Sequence, residues 1–155
     1  TYELFSQGVG DVLPPVVGAI AEICTRHHIE ITGHTVAILG RGRLVGAGAE
    51  VWFRAQGGRV SVFDKMSEVG EMHAFLREAD IIVSGMGHAG YIKPEMLKDG
   101  VVLIDAGTSE SAGVIVGDAD PRCEGVARLF TPVPGGIGPL TVAMIFRNLL
   151  TLGGV

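Results

Sequence analysis

The stretch Thr35-Val-Ala-Ile-Leu-Gly-Arg-Gly-Arg-Leu-Val-Gly46 carries the pattern that decides the fold. Its first residues form a nearly continuous apolar run that ends at Gly40, which is typical of a strand covered on both faces of a parallel sheet. Apolar residues then recur at helical intervals from Leu44 to Gln56, and Val60-Ser-Val-Phe63 begins a second apolar run. The stretch therefore predicts a strand, a glycine-rich turn and a helix that together open a βαβ unit.

The remainder of the chain continues this alternation of strands and helices. We predict helices at 14–28 and 72–78, a short turn at 94–97, strands at 81–83, 101–104 and 127–130, and a hairpin around 111–113 whose second arm is 114–116. A final helix follows Pro139, where Val142, Ile145, Phe146 and Leu149 have the spacing of an amphipathic helix. This order predicts an α/β fold that is Rossmann-like and doubly wound, with a mostly parallel sheet and helices on both faces.

The composition indicates one domain and argues against several classes of protein. With 155 residues, 47% of them hydrophobic, the chain is long enough for one buried core, which we assign to 14–155, and residues 1–13 resemble a linker. The net charge of −5 argues against nucleic acid as a partner. No apolar run is long enough to span a membrane. Only two cysteines occur, far apart in the sequence, which favours a reducing cytoplasm.

The turn Gly40-Arg-Gly42 occupies the position where such folds hold the phosphates of a dinucleotide. Small residues let backbone N–H groups approach a pyrophosphate, and the N-terminus of the following helix favours its negative charge. The spacing G-x-G-x-x-x-G is one residue longer than the usual fingerprint, and a glycine-rich turn without a ligand is the alternative. We predict that Gly40, Arg41 and Gly42 contact the cofactor.

Asp64 follows the second strand, at the position where an acidic side chain accepts hydrogen bonds from the adenosine ribose. A carboxylate there disfavours a 2′-phosphate, whereas Lys65 and Arg41 are cations of the kind that a 2′-phosphate requires. The alternatives are an ordinary turn carboxylate at Asp64 and a solvated side chain at Arg41. The predicted cofactor is NAD or NADP, with NAD favoured.

Two further loops of small residues follow the next two strands. Ser84-Gly-Met-Gly87 ends the third strand, and Asp105-Ala-Gly-Thr108 ends the fourth. Open α/β sheets bind ligands at the carboxyl edge of their strands. We therefore expect Gly85, Gly87 and Thr108 to line the same crevice as Gly40.

The stretch Thr131-Pro-Val-Pro-Gly-Gly-Ile-Gly-Pro-Leu-Thr141 is the most unusual in the chain, because its prolines and glycines impose a specific backbone path. It resembles the C-terminal signature of methylenetetrahydrofolate dehydrogenase/cyclohydrolases. The segments that resemble the family in the same order are 38–46, 79–87, 102–108 and 116–120. The resemblance covers about residues 12–152 and identifies the chain with the family's NAD(P)-binding domain.

The resemblance implies an activity and a set of site residues. The family's enzymes transfer a hydride from 5,10-methylenetetrahydrofolate to NAD or NADP, and cyclohydrolysis of the methenyl product is a candidate second activity of the complete enzyme. By the resemblance, Gly40, Arg41 and Gly42 hold the dinucleotide and Thr108 meets its nicotinamide half. Pro134, Gly135 and Gly138 border a tetrahydrofolate-type substrate, and the chain forms a homodimer.

The sequence also departs from the family's pattern. Gly42 stands where the family usually has Ser, Gly48 where it has Pro, and Asp64-Lys65 where it has His-Ser. The family's N-terminal catalytic domain is absent from these 155 residues, so we assign no catalytic residue to the chain. A stand-alone dinucleotide-binding or sensing module, working with or without a separate catalytic domain, is the alternative function, and a fragment is a third interpretation.

Two weaker signals do not predict a function. His34, His73 and His88 lack partners at ligand spacing, so we predict no metal. Asp118 and Asp120 resemble a paired-carboxylate site, but Gly117-Asp-Ala-Asp120 is a turn motif within the family resemblance, and we interpret both carboxylates as structural.

Overall fold

The computed structural model of the chain describes residues 12–154, and helices and strands alternate in it as predicted. The helices and strands are, in chain order, α1 (Pro15–Arg26), β1 (Thr35–Leu39), α2 (Gly46–Ala55), β2 (Arg59–Phe63), α3 (Val69–Glu78), β3 (Ile81–Ser84), β4 (Val102–Asp105), β5 (Ser109–Ser111), β6 (Val114–Val116), β7 (Leu129–Thr131) and α4 (Ile137–Leu152). Short 3-10 helices lie at Pro94–Met96 and Pro121–Gly125. Of the linker-like segment predicted at 1–13, only Val12 and Leu13 are among the described residues.

Five of the strands form one parallel sheet in the order β2-β1-β3-β4-β7. From β1 the chain moves to β2 on one side and then crosses to β3 on the other, so the strand order reverses between β1 and β3. The connections leave these two strands in opposite directions, which opens a crevice at their carboxyl ends. β5 and β6 pair separately as the predicted antiparallel hairpin. The Rossmann-like, mostly parallel α/β fold is confirmed.

Helices cover both faces of this sheet, and the residues of β1 show it directly. Val36 and Ile38 point into a core shared with α1, α2 and α4, whereas Ala37 and Leu39 point into a core shared with α3. All four side chains are inaccessible to solvent. This double burial explains why β1 is a continuous apolar run without polar alternation.

Several boundaries differ from the predictions by a few residues, and three of these differences have a local reason. α3 begins at Val69, because the Glu68 carboxylate caps it by accepting hydrogen bonds from the backbone N–H groups of Gly70 and Glu71 at 2.9 and 2.6 Å. α4 begins before Pro139, since a first helical turn tolerates proline. β7 extends to Thr131, where pairing with β4 continues.

The terminal helix α4 is amphipathic, but its apolar stripe faces solvent. Ile137 and Met144 are buried on the side that packs against α1. The outward side carries the predicted stripe and two neighbours, all 44–65% exposed: Val142, Ile145, Phe146, Leu149, Leu150 and Leu152. Polar contacts hold the inner side, where the Asn148 side-chain amide donates to the Leu13 carbonyl at 2.8 Å. The spacing therefore predicted the helix but not the direction in which its stripe faces.

Asp80 supports the opposite, amino-terminal edge of the sheet. Its carboxylate accepts hydrogen bonds from the Thr35 backbone N–H at 2.9 Å and from the Lys98 ammonium at 2.5 Å. The hydrogen bond from Lys98, together with that from Thr35, lowers the pKa of Asp80 below its ordinary value of 3.8. The ionised carboxylate therefore stabilises the fold above that value.

We expect Asp80→Asn to lower the free energy of unfolding by about 1 kcal/mol at pH 7. Because the folded-state pKa is depressed, wild type loses this contribution as the pH falls from 3.8 through the folded value, so the two proteins converge in acid. Urea titrations at pH 7, 4 and 2.5 measure the difference. Asp99→Asn, on an exposed carboxylate nearby, is the matched control. A difference that persists unchanged at pH 2.5 contradicts the assignment.

Candidate functional site

The first glycine of the β1 turn lies in backbone contact with the loop after β3. Gly40 has φ +101°, a backbone conformation that residues other than glycine rarely adopt. A Cβ placed on Gly40 would lie 2.7 Å from the Gly85 carbonyl oxygen. A Cβ on Gly46, the first residue of α2, would overlap the Gly40 carbonyl group. Glycine at these positions therefore lets β1, the β3 loop and α2 approach one another across the crevice.

A groove of about 620 Å³ lies on the β2 side of this contact, and we call it the outer groove. It is lined by Gly40, Arg41, Gly42, Asp64, Lys65, Ser67, Val69, Met72, Gly85, Met86, Gly87, His88 and Tyr91. A second cavity of about 330 Å³, the inner groove, lies toward β4 and is lined by Gly42, Arg43, Leu44, Val45, Gly85, Met86, Gly87, Ala106, Gly107 and Thr108. The two grooves share residues of both glycine loops, so they form one crevice at the predicted sheet edge.

The residues predicted to bind the cofactor all line this crevice. Gly40, Arg41, Asp64 and Lys65 belong to the outer groove and Thr108 to the inner one. The remaining predicted residues, Gly42, Gly85 and Gly87, border both grooves. The structure thus brings together side chains and glycines from the ends of β1, β2, β3 and β4, and their role in binding stays a prediction.

Sequence reasoning missed the less polar wall of the outer groove. Val69 and Met72 come from α3, and Met86, His88 and Tyr91 come from the loop after β3. The hydroxyl of Tyr91 lies 3.1 Å from His73 Nε2, which orients the ring. Val69 was hidden by the late predicted start of α3, and a capping carboxylate at Glu68 was the signal that could have found it.

An ion pair crosses the floor of the outer groove. Arg41 Nε lies 2.7 Å from Asp64 Oδ2, and Asp64 Oδ1 accepts a hydrogen bond from the Met66 N–H at 2.8 Å. The guanidinium of Arg41 is thus paired through Nε, and the side chains of both Arg41 and Lys65 are exposed. The carboxylate of Asp64 is partly buried and is held in one orientation by these two contacts.

The predicted substrate-bordering residues lie at the same sheet edge but farther from β1. Pro134, Gly135 and Gly138 are exposed in the segment that leaves β7 and opens α4, and the peptide bond before Pro134 is cis. Gly135 has φ +98°, which favours glycine. Their contact with a substrate stays a prediction.

Asp118 and Asp120 both make structural contacts, as interpreted from the turn motif. Asp120 caps the second 3-10 helix and pairs with Lys93 and Arg122, and the hydrogen bonds from Arg122 lower its pKa. Asp118 is buried beneath the β3 loop. Within residues 12–154 no group of three or more His, Cys, Asp or Glu could hold a metal ion, and no helix has the length and hydrophobicity to cross a bilayer.

Comparison with known proteins identifies relatives of this chain. The sequence profile described as tetrahydrofolate dehydrogenase/cyclohydrolase, NAD(P)-binding domain, matches residues 14–153. The bifunctional protein FolD 2 of Desulfitobacterium hafniense is 38% identical over 144 residues, which are 92% of this chain and 50% of that protein. FolD of Desulforamulus reducens is 36% identical over 138 residues. The chain spans about half the length of the curated relatives it matches.

Solved structures give the same result. The bifunctional FolD methylenetetrahydrofolate dehydrogenase/cyclohydrolase of Campylobacter jejuni superposes with a TM-score of 0.89 at 28% identity, over 96% of this chain and 53% of that one. The Trypanosoma brucei enzyme, solved with NADP cofactor and an inhibitor, gives a TM-score of 0.81 at 33% identity, over 90% of this chain and 50% of that one.

Proposed function

Since the chain belongs to the tetrahydrofolate dehydrogenase/cyclohydrolase family, as its NAD(P)-binding domain, we propose that its crevice binds NAD in preference to NADP. The observation that carries the preference is the Arg41–Asp64 pair on the floor of the outer groove. Asp64 would hold the adenosine ribose, and the turn at Gly42 would hold the pyrophosphate.

The shape of the crevice supports a dinucleotide. Ordinary dinucleotide sites place a pyrophosphate on the N-terminus of the helix after the first strand. Here α2 begins at Gly46, four residues after Gly42, and a Cβ added at Gly42 or Gly87 would meet nothing within 4 Å. The outer groove offers Met72 and Tyr91 to an adenine ring, and the inner groove extends toward Thr108 for the nicotinamide half.

The charges of the outer groove support NAD over NADP. A 2′-phosphate placed at the ribose position meets the Asp64 carboxylate, and like charges at close range repel each other. The nearest cation, Arg41, pairs with Asp64 through Nε at 2.7 Å, so the carboxylate offsets part of the attraction that Arg41 exerts on a phosphate. Lys65 is the remaining cation on this wall, and because both Lys65 and Arg41 are exposed, solvent screens the attraction of each.

Calorimetric titration of the purified chain with NAD and NADP tests this proposal. We expect NAD to bind at least tenfold more tightly, and Asp64→Asn to narrow the ratio by weakening NAD and strengthening NADP. Glu78→Gln, which makes the same charge change at the far end of α3, is the matched control and leaves the ratio unchanged. Tighter NADP binding reverses the preference. Absence of binding by either nucleotide removes the proposed function.

The reaction itself is proposed for the complete enzyme, of which this chain spans about half by comparison with its relatives. When bound, the cofactor supplies a nicotinamide ring that accepts a hydride from 5,10-methylenetetrahydrofolate. The residues of this chain bind and orient it, and Pro134, Gly135 and Gly138 border the folate. Methenyltetrahydrofolate cyclohydrolase activity also belongs to the complete enzyme. No observation favours the alternative of a stand-alone sensing module.

We further propose that two copies of the chain pair through the outward face of α4. Its six apolar side chains are each 44–65% exposed, and a contiguous exposed apolar patch on a folded domain marks an interaction surface. Burial of such a surface against a second copy stabilises a homodimer.

For the location we propose the cytoplasm. Cys24 and Cys123 support it, since both are free thiols and not a disulfide.

A further inference from the structure

Asp118 lies beneath the loop that follows β3 and is fully buried. Its Oδ2 accepts hydrogen bonds from the Ser84 hydroxyl at 2.6 Å and from the Met86 backbone N–H at 2.8 Å. Its Oδ1 accepts one from the His88 backbone N–H at 2.7 Å. A buried carboxylate is costly unless donors satisfy its oxygens, so this side chain and the loop depend on each other. Met86 and His88 both line the crevice.

A second buried carboxylate holds Asp118 in place. Oδ1 of Asp105 accepts hydrogen bonds from the backbone N–H groups of Gly107 at 2.9 Å and Asp118 at 3.2 Å, and Oδ2 accepts one from Ala119 at 2.8 Å. Burial raises the pKa of Asp105, and these backbone hydrogen bonds act in the opposite direction. Because Gly107 lines the inner groove, the two carboxylates connect the β3 loop to the β4 loop.

Neighbouring backbone packs closely against both carboxylates. A Cβ on Gly107 would overlap the Asp118 carboxylate, and a Cβ on Gly117 would overlap that of Asp105. The Ile92 backbone N–H donates to the Asp118 carbonyl, and the Ile92 carbonyl accepts from the Asp120 N–H. These two hydrogen bonds fix the segment that carries Asp118. The β3 loop is therefore held by hydrogen bonds to the Asp118 carboxylate, which is buried away from solvent.

We propose that Asp118 is a positioning residue for the cofactor, acting through the backbone of Met86 and His88 to set the wall shared by the outer and inner grooves. The inference rests on the proposed function, since it concerns the same crevice. Asp118 does not touch the cofactor. Its contribution is to hold the β3 loop against Gly40, so that the crevice is already formed before the dinucleotide arrives.

The substitution Asp118→Asn tests this at constant shape. An amide keeps one accepting oxygen and replaces the other by an NH₂ group, which cannot accept. The hydroxyl of Ser84 can rotate to accept from the amide, whereas a backbone N–H cannot reverse its direction. One loop N–H, that of Met86 or of His88, is then left without an acceptor, and the loop must shift.

Ser84→Ala is the matched control. It removes one donor to Asp118 but keeps both backbone bonds from the loop, and the Ser84 side chain is buried at the end of β3, away from the groove walls. Binding of NAD is measured by calorimetry for each variant well below its unfolding midpoint. Amide NMR shifts of Met86 and His88 report the hydrogen bonds themselves.

We expect Asp118→Asn to weaken NAD binding at least tenfold, with an upfield shift of one of the two amide protons, while Ser84→Ala binds within threefold of wild type. The inference is overturned if Asp118→Asn binds NAD as tightly as wild type, or if Ser84→Ala loses as much affinity as Asp118→Asn. In either case, binding of NAD by wild type still supports the proposed function. If wild type binds neither nucleotide, both fall.

Hydrogen exchange on the wild-type chain keeps the test decisive if Asp118→Asn does not fold. The amide hydrogens of Met86 and His88 are expected to exchange slowly even without nucleotide, because the buried carboxylate holds them. The amide of Lys65, in an exposed turn of the same groove, serves as the comparison. Exchange of Met86 and His88 as rapid as that of Lys65 overturns the inference.

Discussion

Gly46→Ala is expected to lower the free energy of unfolding by about 3 kcal/mol and to weaken NAD binding more than tenfold. The added methyl group would overlap the Gly40 carbonyl, whose carbon lies 2.8 Å from the Cβ position. Both contacting groups are backbone, so the start of α2 and the β1 turn must separate. Alanine is the better helix former by about 1 kcal/mol, which makes a net loss unambiguous. Urea unfolding and calorimetry measure the two effects.

Gly42→Ala in the same turn separates packing from a general effect of removing glycine. No atom lies within 4 Å of a Cβ at Gly42, so we expect unfolding within about 0.5 kcal/mol of wild type. Equal stability of Gly46→Ala and Gly42→Ala contradicts the close approach of α2 to β1.

Phe146→Asp is expected to leave the folded domain intact and to abolish its pairing. Phe146 is 63% exposed on the outward face of α4, so its loss costs the isolated fold about 0.5 kcal/mol or less. In a dimer the aspartate would be buried among apolar side chains, where an unpaired charge is strongly unfavourable. Sedimentation velocity is expected to show a dimer for wild type and, at the same concentration, a monomer for the variant.

Val114→Asp controls for the change in charge. Val114 is 57% exposed on the β5–β6 hairpin, so its substitution is expected to preserve the dimer. A monomeric wild type, or dissociation by Val114→Asp alone, contradicts pairing through α4. If wild type is a monomer, the apolar stripe of α4 is instead expected to contact the other half of the family's enzymes.

The sequence predicted most of the fold because each element depends on local patterns. The apolar run of β1 predicts a strand, and the glycines of the turn at Gly40 predict a phosphate site. The predicted cofactor residues met in one crevice, since parallel strands bring their carboxyl ends to one edge. The predicted starts of α3 and α4 were wrong. α3 begins earlier because a glutamate caps it, and α4 begins earlier because its first turn tolerates a proline.

Two features depended on the tertiary structure. Asp118 belongs to a turn motif, and the sequence contains no sign that its carboxylate lies beneath Ser84, Met86 and His88, because these residues are 30 to 34 positions away along the chain. The spacing along α4 defined an apolar stripe but not its direction. Periodicity fixes which side chains share a helix face, whereas the rotation of the helix is set by what it packs against, here α1.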